Sequence, residues 1–127
     1  MEVQKSHKIL IVEDEPSVRQ ALGDALGKLD YQIVTAVNGV EAIKKFKSEK
    51  PDLVLLDVVL PEKNGFDVLE EFRVNLKSSV PVIMLTNLES QQDMETAKNL
   101  NVTQYVLKSN ISLRNLGIIV NKLLLPA

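Results

Sequence analysis

Short runs of apolar residues alternate along the chain with longer segments in which apolar residues recur at helical spacing. Three of the runs, residues 9–12, 53–56 and 82–85, are continuously apolar, as expected for parallel strands that are covered on both faces. Two further runs, residues 31–36 and 104–107, include polar side chains and fit strands at the edges of the sheet. This alternation is typical of βαβ units and predicts an α/β fold.

Five helical segments are expected to cover the sheet, and in four of them the apolar residues recur along one helix face. These stripes comprise Val18, Ala21, Leu22, Ala25, Leu26 and Leu29, then Val40, Ile43 and Phe46, then Phe66, Leu69 and Phe72, and finally Leu113, Leu116, Ile119, Val120, Leu123 and Leu124. The fourth segment, residues 90–99, offers only Met94 and Ala97 for apolar contact, so we expect it to be the most loosely held helix. In the last helix Ile118 and Leu125 widen the apolar arc, which indicates either a contact surface or ordinary exposed apolar residues.

The composition fits one domain. The chain has 127 residues, of which 45% are hydrophobic and 25% charged, with a formal net charge of -2. We expect one domain over residues 1–127, and the span from Met1 to just past the last helix favours a complete protein. The sequence has no cysteine, which excludes thiol catalysis and Cys-based metal centres.

The same composition bears on location and on partners. No apolar run approaches the ~20 residues of a membrane span, and the N-terminus lacks the apolar segment of a signal peptide. The charge balance, without a stripe of Arg and Lys, argues against direct binding of nucleic acid. We therefore expect a cytoplasmic protein that contacts neither membrane nor nucleic acid.

Charged and hydroxyl side chains follow four of the predicted strands. They are Glu13 and Asp14 after the first strand, Asp57 after the third, Thr86 after the fourth and Lys108 after the fifth. Because the carboxyl ends of parallel strands share one edge of the sheet, where ligands bind, these side chains are expected to meet. Three carboxylates in one cleft repel one another and favour a hard divalent cation, Mg²⁺ or in its place Mn²⁺.

Such a site suits phosphoryl transfer, which needs mostly positioning and neutralisation of charge. An aspartate at the centre of the site can be the nucleophile and become an aspartyl phosphate. Asp57 is best placed for this role, because it follows a central strand. Lys108 and the Thr86 hydroxyl are candidates to hold the remaining phosphoryl oxygens.

Each of these residues also has an ordinary structural interpretation. Asp14 or Glu15 can cap the first helix, Asp57 alone can be a solvated loop residue, and His7 is interpreted as solvated. Asp52 lies at the opposite edge of the sheet and is expected to be structural. The joint occurrence of acidic, hydroxyl and basic groups at four strand ends favours the functional interpretation.

The sequence resembles the receiver domain of two-component response regulators over essentially its whole length. The resemblance rests on Lys8-Ile-Leu-Ile-Val-Glu-Asp14, Pro51-Asp-Leu-Val-Leu-Leu-Asp57, Leu60-Pro61 with Gly65, Pro81-Val-Ile-Met-Leu-Thr86 and Tyr105-Val-Leu-Lys108. The expected fold is a three-layer, doubly wound, five-stranded parallel sheet with strand order 2-1-3-4-5, as in flavodoxin-like proteins. The resemblance implies a signalling domain that catalyses only its own phosphorylation and dephosphorylation.

The resemblance also implies a role for each site residue. Asp57 would accept a phosphoryl group from a histidine kinase, a phosphotransfer protein or a small phosphodonor. Asp14 and Asp57 would bind Mg²⁺ directly, Glu13 would act through water, and the backbone carbonyl of Val59 would add a ligand.

The output of such a domain would be a change of shape. Thr86 and Lys108 would contact the phosphoryl oxygens, and Tyr105 would rotate inward as Thr86 moves. This movement would switch the face formed by the fourth helix, the fifth strand and the fifth helix, and so change binding to a downstream protein or to a second copy of the domain.

Two positions depart from the family pattern. Ser109 replaces the usual proline after the lysine, so the lysine is expected to be less fixed, and Asn87 replaces the usual small residue after Thr86. These departures leave open a receiver-like interaction module that is never phosphorylated.

Two other classes of protein are also alternatives. A haloacid-dehalogenase-type phosphatase would need an acid where Val59 stands, and a flavodoxin-like flavin binder would need a glycine-rich loop at residues 13–16.

Overall fold

The computed structural model describes residues 7–125, which form five strands and five α-helices in alternation. The strands are β1 (Lys8–Val12), β2 (Gln32–Ala36), β3 (Leu53–Leu56), β4 (Val82–Thr86) and β5 (Gln104–Leu107). The helices are α1 (Pro16–Gly27), α2 (Gly39–Glu49), α3 (Gly65–Glu70), α4 (Gln91–Asn99) and α5 (Leu113–Leu124). A π-helical turn, Glu71–Asn75, continues α3, and a 3-10 turn, Lys108–Asn110, follows β5.

All neighbouring strands are parallel, and their order is β2-β1-β3-β4-β5. The predicted doubly wound α/β fold is therefore confirmed. The register aligns the carboxyl ends of the strands, since Val12 is paired with both Ala36 and Leu56. The ladder continues one residue further, because Asp57 N–H donates to the Val12 carbonyl at 3.2 Å. The first residues after β1 and β3 are thus held side by side.

Buried side chains form one core layer on each face of the sheet. Along β1, Leu10 and Val12 belong to the layer under α2, α3 and α4, whereas Ile9 and Ile11 belong to the layer under α1 and α5. This alternation follows from the two-residue repeat of a strand. Both faces of the central strands are apolar and buried, which explains their continuous apolar sequence.

Four of the helices begin at a side-chain cap. The capping residues are Asn38, Asn64, Ser90 and Ser112, and each accepts a hydrogen bond from the backbone N–H three residues later. Such a cap typically stabilises a helix by about 1 kcal/mol. At the start of α1, Glu15 holds the N-cap position before Pro16, so Asp14 is not the cap of this helix. The Glu15 side chain makes no capping bond among the described residues.

Several residues of the predicted apolar stripes are exposed. They are Ala21 in α1, Leu29 just after α1, Val40 in α2 and Leu113 in α5. Val40 and Leu113 lie in the first turns of their helices, and Ala42, also in the first turns of α2, is fully buried. Within residues 7–125, the helices are too short or too polar to cross a membrane.

Candidate functional site

The carboxylates that follow β1 and β3 meet at the carboxyl edge of the sheet. One carboxylate oxygen from each of Glu13, Asp14 and Asp57 lies within 4.8 Å of the other two. Glu13 and Asp57 are buried, whereas Asp14 is exposed. The structure therefore brings together the three acids that the strand-end pattern selected.

Lys108 links two of these acids. Its Nζ donates to Glu13 Oε2 at 2.7 Å and to Asp57 Oδ2 at 2.8 Å. The peptide bond to Ser109 is trans, and residues 108–110 form a 3-10 turn. Two carboxylates contact its ammonium group, and the expectation that the lysine is less fixed without a following proline stays a prediction.

The protonation equilibria of the site reflect burial and the clustering of charge. Burial raises the pKa of the Glu13 carboxyl, the charge of Asp57 raises it further, and the hydrogen bond from Lys108 opposes both effects. Burial acts to lower the pKa of Lys108, but the bonds and charges of Asp57 and Glu13 outweigh it, so the pKa is raised. The ammonium group therefore stays charged at neutral pH.

The donor set of the cluster fits Mg²⁺. Carboxylate oxygens are hard ligands, and Mg²⁺ is typically held by one or two carboxylates together with water and phosphate oxygens. Glu13, Asp14 and Asp57 supply such oxygens around one point. Val59 N–H donates to Asp57 Oδ1 at 3.3 Å, so the loop after β3 folds back on the acid and keeps the Val59 backbone beside the cluster.

Thr86 and Tyr105 are both tied to the loop before α4. The Thr86 hydroxyl is buried and accepts a hydrogen bond from Leu88 N–H at 3.4 Å. The Tyr105 hydroxyl donates to the Leu88 carbonyl at 2.8 Å. Burial raises the pKa of Tyr105, and the negative charges of Asp93 and Asp57 add to this effect. Leu88 thus connects the end of β4 to the edge strand.

Two contacts of the site have no signal in the sequence. Arg19, on α1, donates from Nη1 to the Glu13 carbonyl at 2.9 Å and so holds the loop after β1. Leu88 makes its hydrogen bonds to Thr86 and Tyr105 through backbone atoms. An arginine in the first turns of a helix and a leucine in a loop look ordinary, so periodicity does not identify either residue.

The residues that were interpreted as structural lie away from the cluster. Asp52 Oδ2 accepts a hydrogen bond from Lys8 N–H at 2.7 Å at the opposite edge of the sheet, which confirms the interpretation of Asp52. His7 packs its ring edge against Tyr31, with the ring centroids 6.4 Å apart. It is half-buried rather than fully solvated.

The metal-free protein is expected to lose stability as the pH rises from about 4.5 towards neutrality. A carboxyl whose pKa is raised by folding binds its proton more tightly in the folded state, so deprotonation between the unfolded and folded pKa values disfavours folding. Urea unfolding in chelator across this range should show the decline. Glu13→Gln should flatten it, whereas Glu41→Gln, at an unrelated helix cap, should not; a profile that Glu13→Gln leaves unchanged would contradict the assignment.

Fold and site together define the receiver class that the sequence motifs resemble. The sequence model described as Response regulator receiver domain matches residues 9–119. The chain therefore belongs to the response-regulator receiver family and acts as a signalling module of two-component systems. This result excludes the phosphatase and the flavin-binder alternatives.

Two curated relatives are longer than this chain. The probable transcriptional regulator ycf27 of Cyanophora paradoxa is 43% identical over 108 residues, which cover 85% of this chain and 44% of the relative. The alkaline phosphatase synthesis transcriptional regulatory protein PhoP of Bacillus subtilis (strain 168) is 39% identical over 101 residues, which cover 80% and 42%. The chain spans less than half the length of these relatives.

Solved receiver structures share the fold. The BeF3-activated N-terminal receiver domain of RstA from Klebsiella pneumoniae superposes with a TM-score of 0.83 at 31% identity, over 93% of this chain and 99% of that chain. The chemotaxis protein CheY4 of Vibrio cholerae gives a TM-score of 0.86 at 26% identity, over 94% and 100%. The sheet order and the helix positions are thus those of the family.

Proposed function

We propose that Asp57 accepts the phosphoryl group in this receiver domain, in a reaction that depends on Mg²⁺. The observation that carries the proposal is that Asp57 lies close to two kinds of charged group. Its carboxylate lies within 4.8 Å of the Glu13 and Asp14 oxygens and accepts a hydrogen bond from Lys108 at 2.8 Å. A buried nucleophile beside two further acids and hydrogen-bonded to an ammonium group fits phosphoryl transfer.

In the proposed reaction an oxygen of Asp57 forms a bond to phosphorus while the bond from phosphorus to the donor's nitrogen or oxygen breaks. The leaving group departs with the bonding electron pair. Lys108 Nζ, already bonded to Asp57 Oδ2, would turn to a phosphoryl oxygen and neutralise its charge. The Thr86 hydroxyl at the end of β4 would donate to another phosphoryl oxygen.

The metal would be held by Glu13, Asp14, Asp57 and the Val59 carbonyl, with Mn²⁺ able to replace Mg²⁺. When bound, the ion supplies neutralisation of charge on the transferred group and fixes its orientation. The chain's own residues set the site: Arg19 holds the Glu13 backbone at 2.9 Å. Glu13 would act on the ion through water.

The proposed partners and setting follow from the family. Response regulators interact with histidine kinases, and we propose a histidine kinase or a phosphotransfer protein as the donor for this chain, with small phosphodonors as substitutes. Residues 1–127 would act as one receiver domain in the cytoplasm and would turn over only their own phosphoryl group. Neither a membrane nor nucleic acid is a proposed direct partner of these residues.

The proposed output runs through Leu88. A shift of Thr86 towards a phosphoryl group would break its 3.4 Å bond with Leu88 N–H and release space into which Tyr105 turns. α4 can follow this movement, because Ala97 is its one buried residue. Phosphorylation would thus bias a pre-existing equilibrium of the loop and the helix.

The movement of the loop and of α4 would alter the α4-β5-α5 face, which is the proposed binding surface. Ile118 is 45% exposed and Leu125 is 48% exposed, so the last helix carries apolar surface that the sheet does not cover. We propose that this face binds a downstream protein or a second copy of the domain, more tightly in the phosphorylated state.

Addition of Mg²⁺ and beryllofluoride to ¹⁵N-labelled protein tests the switch. Amide shifts are expected to change around Asp57 and also through residues 88–107, because Leu88 links them. In Tyr105→Phe, which loses the hydroxyl bond to the Leu88 carbonyl, the changes around Asp57 should persist while those in β5 shrink. Changes confined to the loops around Asp57 would refute the switch, and a complete lack of response would favour the interaction module that is never phosphorylated.

A further inference from the structure

We propose that Gly39 is a positioning residue for the metal site, although it touches none of the acids. This inference rests on the proposed function, since it concerns the loop that carries the Val59 carbonyl. Gly39 opens α2, and the backbone of Lys63 in the loop between β3 and α3 lies directly against it. The absent side chain lets the loop sit deep enough to present Val59 to the acids.

The contact leaves no room for a Cβ atom at this position. A Cβ built on Gly39 would lie 2.1 Å from the Lys63 carbonyl oxygen, 2.7 Å from its Cβ and 2.9 Å from its carbonyl carbon. Two of these three atoms belong to the backbone, so no rotation of a side chain relieves the overlap. Because real Cβ contacts are not shorter than 3.0 Å, any side chain would push the two backbones apart by roughly an ångström.

The loop, rather than the helix, is the partner that would move. α2 is anchored through Ala42, which is fully buried, and through Phe46, whose ring stacks on Phe72 with centroids 4.0 Å apart. Its first turn is also capped by Asn38. In the loop, by contrast, Val59 is 60% exposed, and its neighbours at residues 61 and 62 are exposed as well.

A displacement at Lys63 would reach Val59 because the loop is closed on itself. Gly65 N–H donates to the Val58 carbonyl at 2.8 Å, and Lys63 N–H donates to the Pro61 carbonyl at 2.8 Å. These bonds make residues 58–65 a short closed turn, so a displacement at Lys63 is passed along the exposed part of the turn to Val59. Mg²⁺ demands near-octahedral ligands at about 2.0–2.1 Å, so a shift of roughly an ångström removes the carbonyl from its coordination distance.

A substitution at Gly39 tests the position of the Val59 loop without adding an atom against Asp57, because the nearest atoms to its new Cβ all belong to Lys63. A Cβ on Gly65 would lie 2.2 Å from the Asp57 carbonyl oxygen, so a variant there disturbs the acceptor directly. Gly27 provides the matched control, because a Cβ at Gly27 would meet nothing within 4 Å and it too lies at a helix end.

The test compares wild type, Gly39→Ala and Gly27→Ala by titration with magnesium alone, followed by amide shifts, and by urea unfolding in chelator. We expect Gly39→Ala to bind Mg²⁺ about 10-fold more weakly, the lower end of the effect of changing groups that orient metal ligands. Its metal-free stability should stay close to that of wild type, because the exposed loop yields. Gly27→Ala should bind Mg²⁺ as wild type does.

The remaining outcomes overturn the inference in distinct ways. Unchanged Mg²⁺ affinity in Gly39→Ala, with binding by wild type, would sink the inference and leave the proposed metal site standing. A variant that fails to fold, or that loses metal-free stability while its folded form keeps its Mg²⁺ affinity, would make Gly39 a packing residue. If wild type itself binds no Mg²⁺, the proposed metal site fails and this inference fails with it.

Discussion

Asp57→Asn is expected to abolish phosphorylation by a kinase, by a phosphotransfer protein and by acetyl phosphate. The amide has no anionic oxygen to attack phosphorus, and no other acid of the site has the same surroundings. Asp14 is exposed, and burial raises the pKa of the Glu13 carboxyl. Intact-protein mass spectrometry after incubation with acetyl phosphate and Mg²⁺ should show one added phosphoryl group in wild type and none in the variant.

Asp52→Asn is the matched control for this experiment. Asp52 also lies next to β3, but at the opposite edge of the sheet, where its carboxylate accepts a bond from Lys8 N–H at 2.7 Å. An asparagine oxygen can accept the same bond, so the fold and the phosphorylation should both persist. Recovery of the phosphoryl group on Asp14 with Asp57 unmodified would overturn the assignment of the acceptor.

The sheet and its reactive edge were predictable because each strand carries its own signal. The runs at residues 9–12, 53–56 and 82–85 are apolar because both faces of β1, β3 and β4 are buried. The residue after such a run is placed at the carboxyl edge by topology alone. Asp57 and Glu13 were therefore located without any knowledge of contacts.

The supporting contacts were not predictable, because they depend on backbone atoms and on close approach. Arg19 acts on a carbonyl oxygen, Leu88 acts through its N–H and its carbonyl, and Gly39 acts through the side chain that it lacks. None of these features changes a hydrophobic pattern. They are visible only when the three-dimensional path of the loops is known.

Helix stripes predicted the burial of some of their apolar residues but not of all of them. Leu22, Leu26 and Leu116 are buried as expected, whereas Leu113, in the first turn of α5, is 45% exposed. Periodicity gives the direction in which a side chain points but not the extent of the sheet beneath it. A stripe can therefore include exposed apolar residues, such as Ala21 within α1.

Lys108→Met is expected to lower the free energy of unfolding of the metal-free protein by about 2–3 kcal/mol. Removing one partner of a buried ion pair typically costs about 3–5 kcal/mol because the other charge is left unpaired. Here the lysine side chain is 19% exposed, against 3% for Glu13 and 8% for Asp57. Because water reaches this ion pair, we expect the loss of stability to be at or below the lower end of that range. Urea unfolding at neutral pH in chelator measures it.

The response of this variant to magnesium and to pH separates charge from packing. Methionine keeps most of the apolar stem of lysine, so what is lost is the cation among three carboxylates. Mg²⁺ at a given concentration should then stabilise Lys108→Met more than wild type, because the ion replaces the missing positive charge. The deficit should also shrink on acidification, since the pKa of Glu13, already raised, rises further without the ammonium group, and a proton then removes one of the three negative charges. Lys44→Met, at an exposed position on α2, should change stability by no more than about 0.5 kcal/mol and leave both responses unaltered. Equal deficits at all pH values, with no added response to Mg²⁺, would mean that Lys108 contributes by packing and that the acids do not repel one another in the folded protein.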